Sequence, residues 1–212
     1  MFDFQGHASS PQVTVSLNLK PSMFKYREYI ETIAKVSEKD WLFFSSCLQK
    51  RDFAKNTTFL SIGQVENHIS FIEKGEVRLY IPKDEIEKEV TFGFSFKDEF
   101  VSAYDSFLTR RPSLYQLQAL VDTTLWSISY QDLQEVYKST NIGNTMGRYV
   151  SEKLFLLKSK REQSLLNETP EKRYLNLFKD RPNLIKQIPL KYIASYIGVT
   201  PQALSRIRRR IS

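Results

Sequence analysis

The chain has 212 residues, with 31 Lys or Arg against 24 Asp or Glu, a net charge of +7 and an apolar fraction of 41%. That is enough apolar material for one large packed domain or two modest ones, which excludes wholesale disorder. No run of about 18 apolar residues marks a membrane span, the N-terminus lacks the pattern of a secretory signal, and the single Cys47 excludes an internal disulfide or a four-cysteine iron–sulfur cluster.

Residues 1–22 show no sustained period and read as a flexible extension. From Met23 to Cys47 the apolar residues Phe24, Tyr26, Tyr29, Ile30, Ile33 and Val36 recur at three and four, which predicts a helix. A second short helix follows around "SEKDWLFFSSCL", with Ser37 and Asp40 as candidate N-caps. Between Gln49 and Ser129 the texture is that of strands. "FLSIGQ", "HISFIEKGEVRLYIP", "KEVTFGFSF", "YQLQAL" and "TTLWSIS" are short, rich in β-branched and aromatic residues, and separated by Gly, Pro or charged turns. Glu73-Lys74-Gly75 reads as a three-residue hairpin link. Strands at this spacing suggest a barrel, sandwich or roll.

The helical period returns after Ser129. "YQDLQEVYKS" is one short helix, and a longer one runs from about Ile142 to Leu166. Its Met146, Val150, Leu154, Leu157, Arg161 and Leu165 form a stripe that Phe155 and Leu156 widen. Such a stripe fits a dimer seam, the alternative being that it packs on its own β domain. Thr169, Pro170 and Glu171 then cap, open and charge-complement a new helix that should stop before Arg181-Pro182. The expected division is 1–22 extension, 23–141 roll, 142–168 dimerisation helix and 169–212 terminal domain. Residues 169–212 hold ten Lys or Arg and two acids, a net of +8, so the preceding 168 residues sum to −1. All the basic excess lies at one end, which points to a polyanion.

The last 23 residues pattern as two short helices crossing closely. Leu190, Ile193 and Ile197 face inward, Ala194 is small at the crossing, and Gly198 suits a left-handed turn. Val199 plugs the turn, Thr200 caps the second helix, Pro201 opens it, and Leu204 and Ile207 face inward. This is the pattern of a helix-turn-helix. A membrane-surface helix would not carry Gly198, Thr200 and Pro201 in mid-span, and a disordered tail needs no apolar register. Gln202, Ser205, Arg206 and Arg209 project outward. Arg206 is the first candidate to read a base edge and Gln202 the second. Thr200, Ser205, Arg208, Arg209 and Arg210 fit phosphate contacts, and Lys191 on the first helix joins the DNA-binding set. Any one of the terminal arginines can equally be a solvated charge.

Over residues 23–212 these segments resemble the Crp/Fnr family of bacterial transcription regulators, in particular its Bacteroidetes-type branch. "FIEKGEVRLY" looks like a hairpin of the family's roll, "TPEKRYLNLF" like the opening of its DNA-binding domain and "IPLKYIASYIGVTPQALSRIRR" like its reader. The resemblance implies an α+β fold: an N-terminal cyclic-nucleotide-binding-like β jelly-roll sensor, a long dimerisation helix and a C-terminal winged helix-turn-helix. Wing strands would have to lie in "NLIKQIP". The family's phosphate cassette, Gly-Glu then Arg-Ser-Ala, corresponds here to Asp98-Glu99 and Ser113-Leu114-Tyr115. Glu99, Ser113, Tyr115 and Gln118 are therefore the candidate effector-pocket residues. Without the cassette arginine a cyclic phosphate loses its bidentate partner, and the Pro112 turn is expected to aim Arg110 and Arg111 outward. Cyclic AMP is accordingly not the expected effector. Arg206 resembles the family's second base-reading arginine and Gln202 its glutamate, while Pro201 replaces the first arginine. His68 and His7 lack a second ligand at a useful spacing for haem.

The sequence thus predicts a cytoplasmic homodimeric regulator of double-stranded DNA, with no cofactor, no membrane partner and RNA polymerase as a partner the roll could touch. The rivals are a cyclic-nucleotide-responsive regulator and a ligand-binding protein with non-specific nucleic-acid affinity. An enzyme is not expected, because no metal-ligand spacing, phosphate-cradling Gly-rich loop or nucleophile–base pair occurs.

Overall fold

The computed structural model describes residues 21–85 and 88–211. Residues 1–20 of the expected extension lie outside the described residues; α1 (Pro21–Glu31) opens immediately after them. It is followed by α2 (Glu38–Ser46), whose cap is Ser37, the hydroxyl accepting from the Asp40 amide at 3.0 Å. Eight strands come next: β1 (Leu48–Phe53), β2 (Thr58–Leu60), β3 (His68–Lys74), β4 (Glu76–Ile81), β5 (Val90–Phe96), β6 (Phe100–Val101), β7 (Gln116–Ala119) and β8 (Thr123–Ser129). Between β6 and β7 lies α3 (Tyr104–Thr109). They form two antiparallel four-stranded sheets, β1-β8-β3-β6 and β2-β7-β4-β5.

Side-chain alternation decides what each sheet faces. Ile72 and Leu125 of the first sheet meet Val77, Leu117 and Leu60 of the second in the core between the sheets. One residue along, Phe71 and Trp126 point to the other face and pack under α1 and α2 against Tyr26, Ile30, Trp41 and Phe44. Tyr26 and Phe71 stack at 4.5 Å between ring centroids. Each such fully buried side chain stabilises by about 1.5–3 kcal/mol, so the helical cover is part of the domain and not an appendage.

The Glu73-Lys74-Gly75 segment is not a hairpin. β3 pairs with β6 and β8, and β4 with β5 and β7, so the chain changes sheets at Gly75. The residue can make that corner because it takes φ +116 and lies against Thr123, where a side chain has no room. The true hairpin joins β4 to β5. Sequence reading also passed over β1, because "LQKRDF" is an exposed edge strand with one buried residue, Leu48, and over α3, whose single turn and a half lies inside the cassette segment.

The roll ends in α4 (Tyr130–Ser139) and α5 (Gly143–Asn167). Four more helices follow among the described residues: α6 (Pro170–Asp180), α7 (Pro182–Gln187), α8 (Leu190–Tyr196) and α9 (Pro201–Ile211). Thr169 caps α6, accepting from the Lys172 amide at 3.2 Å. The wing implied by the family resemblance is absent among the described residues: residues 183–187 of "NLIKQIP" lie in α7 and no strand follows β8. Pro182 sits at the first helical position and Leu184 is buried against α6 and α8, so the segment earns its burial as a helix.

Glu66, between β2 and β3, is a buried carboxyl accepting from the His68 amide at 2.9 Å and the Ala103 amide at 3.4 Å. Burial pushes it above the ordinary carboxylate range, and those amides offset this only in part. The folded state therefore binds its proton more tightly than the unfolded chain. Stability from protonated Glu66 is fully present below the unfolded pKa and is lost as pH rises through the folded one. Glu66→Gln is expected to flatten the stability profile just above the ordinary carboxylate range in denaturant unfolding at stepped pH. A profile parallel to wild type would contradict this.

Candidate nucleic-acid interface

α8 ends in a tight turn because Gly198 adopts φ +76, a left-handed conformation that other residues take at a cost. The Gly198 amide donates to Ser195 O at 3.1 Å and the Val199 amide to Ala194 O at 3.0 Å. Arg173 of α6 fixes the turn from behind, its Nε donating to Ile197 O at 2.8 Å. Across the turn, Ile193, Ala194 and Ile197 bury against Leu204 and Ile207, with Val199 packed alongside. Leu190, expected to face inward, is 38% exposed, since it is the first residue of α8 and the contact with α9 begins a turn later.

α9 begins under a cap: Thr200 Oγ1 accepts from the Ala203 amide at 3.2 Å. Gln202, Ser205, Arg206, Arg208, Arg209 and Arg210 are all exposed, while Leu204 and Ile207 are buried. Gln202, Arg206 and Arg209 fall within two turns of one face, Ser205 beside them, and the helix carries no acid. Arg210 makes an ion pair with Glu171 of α6 at 3.1 Å. The Arg210 side chain is mostly exposed and that of Glu171 partly so, which leaves the pair worth little. Lys191 is exposed on α8, its Nζ 4.9 Å from the Tyr192 ring centre. A cleft of about 710 Å³ runs between the start of α6 and α9, bordered by Thr169, Glu171, Arg206 and Arg209.

The stripe read along α5 divides between two environments. Met146 is buried against α4 and the roll, and Arg161 donates to Phe92 O of β5 at 2.9 Å and to Tyr196 O at 3.0 Å. That side packs on its own chain. What stays open is Phe155 at 69%, Leu156 at 66% and Leu166 at 77% exposure, with Leu157 and Leu165 beside them.

The four candidate effector residues do not share one set of partners. Glu99 pairs with Arg181 at 3.3 Å and accepts from the Phe96 amide at 3.1 Å. Ser113 is fully buried and its hydroxyl donates to Tyr115 O at 2.8 Å. The Tyr115 ring lies in the core between the sheets, edge-on to Phe92, with its hydroxyl donating to Asp105 Oδ1 at 2.5 Å. Burial, then Asp105, pushes that phenol well above its ordinary range. Gln118 lies on β7 and donates to Asn56 O at 3.4 Å. Arg110 turns away from this region: its guanidinium donates to Glu66 O at 2.7 Å and to Asn67, and its plane lies 4.3 Å from the Tyr130 ring centre. His68 is half-buried at the start of β3, and burial lowers its pKa, so it is neutral at pH 7.

Sequence reasoning missed the cations that join the roll to the terminal helices. Arg78, in β4, is 2% exposed; Arg181 donates to Phe94 O at 3.2 Å, and Arg161 has just been described. A signal existed for Arg78: in "EVRLYI" it breaks a run of apolar residues at an outward position, beside Tyr80 on the same face. The partners that satisfy it lie in other elements and leave no local mark.

The described residues thus comprise a double-sheet antiparallel roll, a 25-residue helix and a basic helical unit. Residues 50–140 match the cyclic nucleotide-binding domain family, and about four fifths of the chain shares its fold with solved structures of Crp/Fnr-type regulators. A chain from Eubacterium rectale described as a transcriptional regulator of the crp/fnr family matches at a TM-score of 0.64 and 17% identity, covering 82% of this chain and 83% of that one. FixK2 from Bradyrhizobium japonicum gives 0.64 at 13% identity, with 77% and 84% covered. CLP of Xanthomonas campestris, a c-di-GMP responsive global regulator, gives 0.63 at 17% identity, with 82% and 91% covered. Comparison with curated proteins gives no match. No helix among the described residues is long and apolar enough to cross a membrane.

Proposed function

We propose that the protein is a homodimeric, sequence-specific DNA-binding transcription regulator of the Crp/Fnr type, in which α8 and α9 are a helix-turn-helix. The observation that carries this reading is the acid-free outward face of α9, where Gln202, Ser205, Arg206 and Arg209 stand exposed behind a capped N-terminus. Arg206 and Gln202 have the donor and acceptor geometry for guanine and adenine edges in the major groove. The Thr200 end and the remaining arginines hold phosphates, supported by the +8 charge of residues 169–212. The exposed Phe155, Leu156 and Leu166 support α5 as the surface that a second copy covers. Two readers in a two-fold dimer would enter successive major grooves about 34 Å apart.

Competition binding tests the proposal: labelled genomic fragments are retained by the protein in excess unrelated DNA. Survival of a small set of fragments supports specific regulation, and equal loss of all supports the non-specific rival. Cyclic AMP is not the effector in this reading. The cassette arginine is replaced by buried Ser113, and Arg110 is committed to Glu66 and Asn67. Isothermal calorimetry is expected to give no saturable heat with micromolar cyclic AMP, and a saturable isotherm would contradict this.

A further inference from the structure

β5 is the outer strand of its sheet, and its open edge carries backbone groups that no strand satisfies. Helix side chains satisfy them instead. The Ser195 hydroxyl of α8 donates to Glu89 O at 2.7 Å and accepts from the Thr91 amide at 2.8 Å, standing in for one rung of a ladder. Arg161 and Arg181 cap Phe92 O and Phe94 O further along. Beneath this seam lies Arg78. Its Nε donates to Thr91 Oγ1 at 2.8 Å and its Nη2 pairs with Glu89 at 2.9 Å. The guanidinium is sandwiched between two rings, Tyr80 of the roll at 4.1 Å and Tyr192 of α8 at 3.8 Å.

A cation this buried is retained only where every partner is in place, so it specifies one arrangement of the elements around it. Tyr192 is the partner on the terminal unit, one helix away from α9. We infer that Arg78 is a positioning residue for the DNA reader: through Tyr192 it fixes α8 on the β5 edge, and so sets how the roll presents α9. The inference rests on the DNA-reading role proposed above for α9.

Hydrogen exchange of the full chain, followed by mass spectrometry, tests it without DNA. Arg78→Met and Tyr192→Leu are each expected to speed exchange in residues 89–96 and 190–196 by about tenfold or more. Residues 123–129, in the opposite sheet, keep the wild-type rate, and Tyr192→Phe, which preserves the stacked ring, behaves as wild type. The same two disruptive variants weaken binding to a site selected by the wild type by about tenfold at unchanged affinity for random DNA. Unchanged exchange at both segments overturns the inference, as does acceleration that spreads to 123–129, which marks a general loss of fold. Altered exchange with unaltered specific affinity overturns the link to the reader. Should the wild type select no DNA site, the DNA reading fails, while the exchange pattern still decides whether Arg78 docks α8.

Discussion

Arg206→Ala is expected to weaken binding to a selected DNA site by about 1–3 kcal/mol, roughly 5–150-fold, with little change in affinity for random DNA. The residue is exposed on the face opposite Leu204 and Ile207, so its removal opens no cavity and the fold is untouched. On the proposed reading, what is lost is a bidentate donor to a base edge, and the loss is confined to sequences that carry that base. Arg209→Ala provides the contrast. As a phosphate contact it is expected to weaken all sequences alike and to reduce the salt dependence of binding by about one charge. Titrations of both variants on selected and random duplexes, at two salt concentrations, separate the roles. Equal loss on both duplexes for Arg206→Ala would remove it from base reading.

The second large effect falls on the fold. Gly75→Ala is expected to destabilise by about 3 kcal/mol or more, from left-handed strain and from overpacking together. A Cβ there would stand 2.3 Å from Thr123 Oγ1 and 2.7 Å from Thr123 Cα. The hydroxyl can rotate away, but the backbone of β8 cannot, because that strand is paired on both sides by β1 and β3. For a chain of this size the melting temperature falls by roughly 6–12 °C. Gly63 provides the control: it also has positive φ, +86, but a Cβ there meets nothing within 4 Å. Gly63→Ala is therefore expected to cost only about 1 kcal/mol of backbone strain. Thermal unfolding of the two variants side by side checks the pair, and equal losses would show that Thr123 yields.

The contrast between these glycines shows what was legible in the sequence. That the strands break at Gly75 is legible, but the hairpin read there does not form: Glu73 and Lys74 belong to β3, and the chain changes sheets at Gly75. Whether the strands on either side pair with each other is a matter of the whole sheet, and β3 and β4 find partners elsewhere in the chain. The starts of α2, α4 and α6 were legible because caps are local chemistry: Ser37, Ser129 and Thr169 all accept from an amide three residues on. β1 was not, since an edge strand needs few apolar residues.

The candidate reader was legible in finer detail than the roll. Ile193, Ala194, Ile197, Leu204 and Ile207 bury together, and their spacing alone marks the inward side of both helices. The outward face then follows by elimination. At the candidate effector positions, only the replacement of the cassette arginine by Ser113 was readable. The direction of Arg110 depends on Glu66 and Asn67, more than 40 residues away in the chain, and no local pattern encodes it. The same holds for α5, where period alone does not tell the side packed on β5 from the side left open.

Sequencing of the duplexes that the full-length protein retains from a randomised DNA pool tests the central claim most directly. The account predicts enrichment of one near-palindromic motif, its half-sites about 34 Å or one helical turn apart, with the enrichment lost in Arg206→Ala. Recovery of the pool without an enriched motif, at an affinity that depends on salt alone, would contradict it.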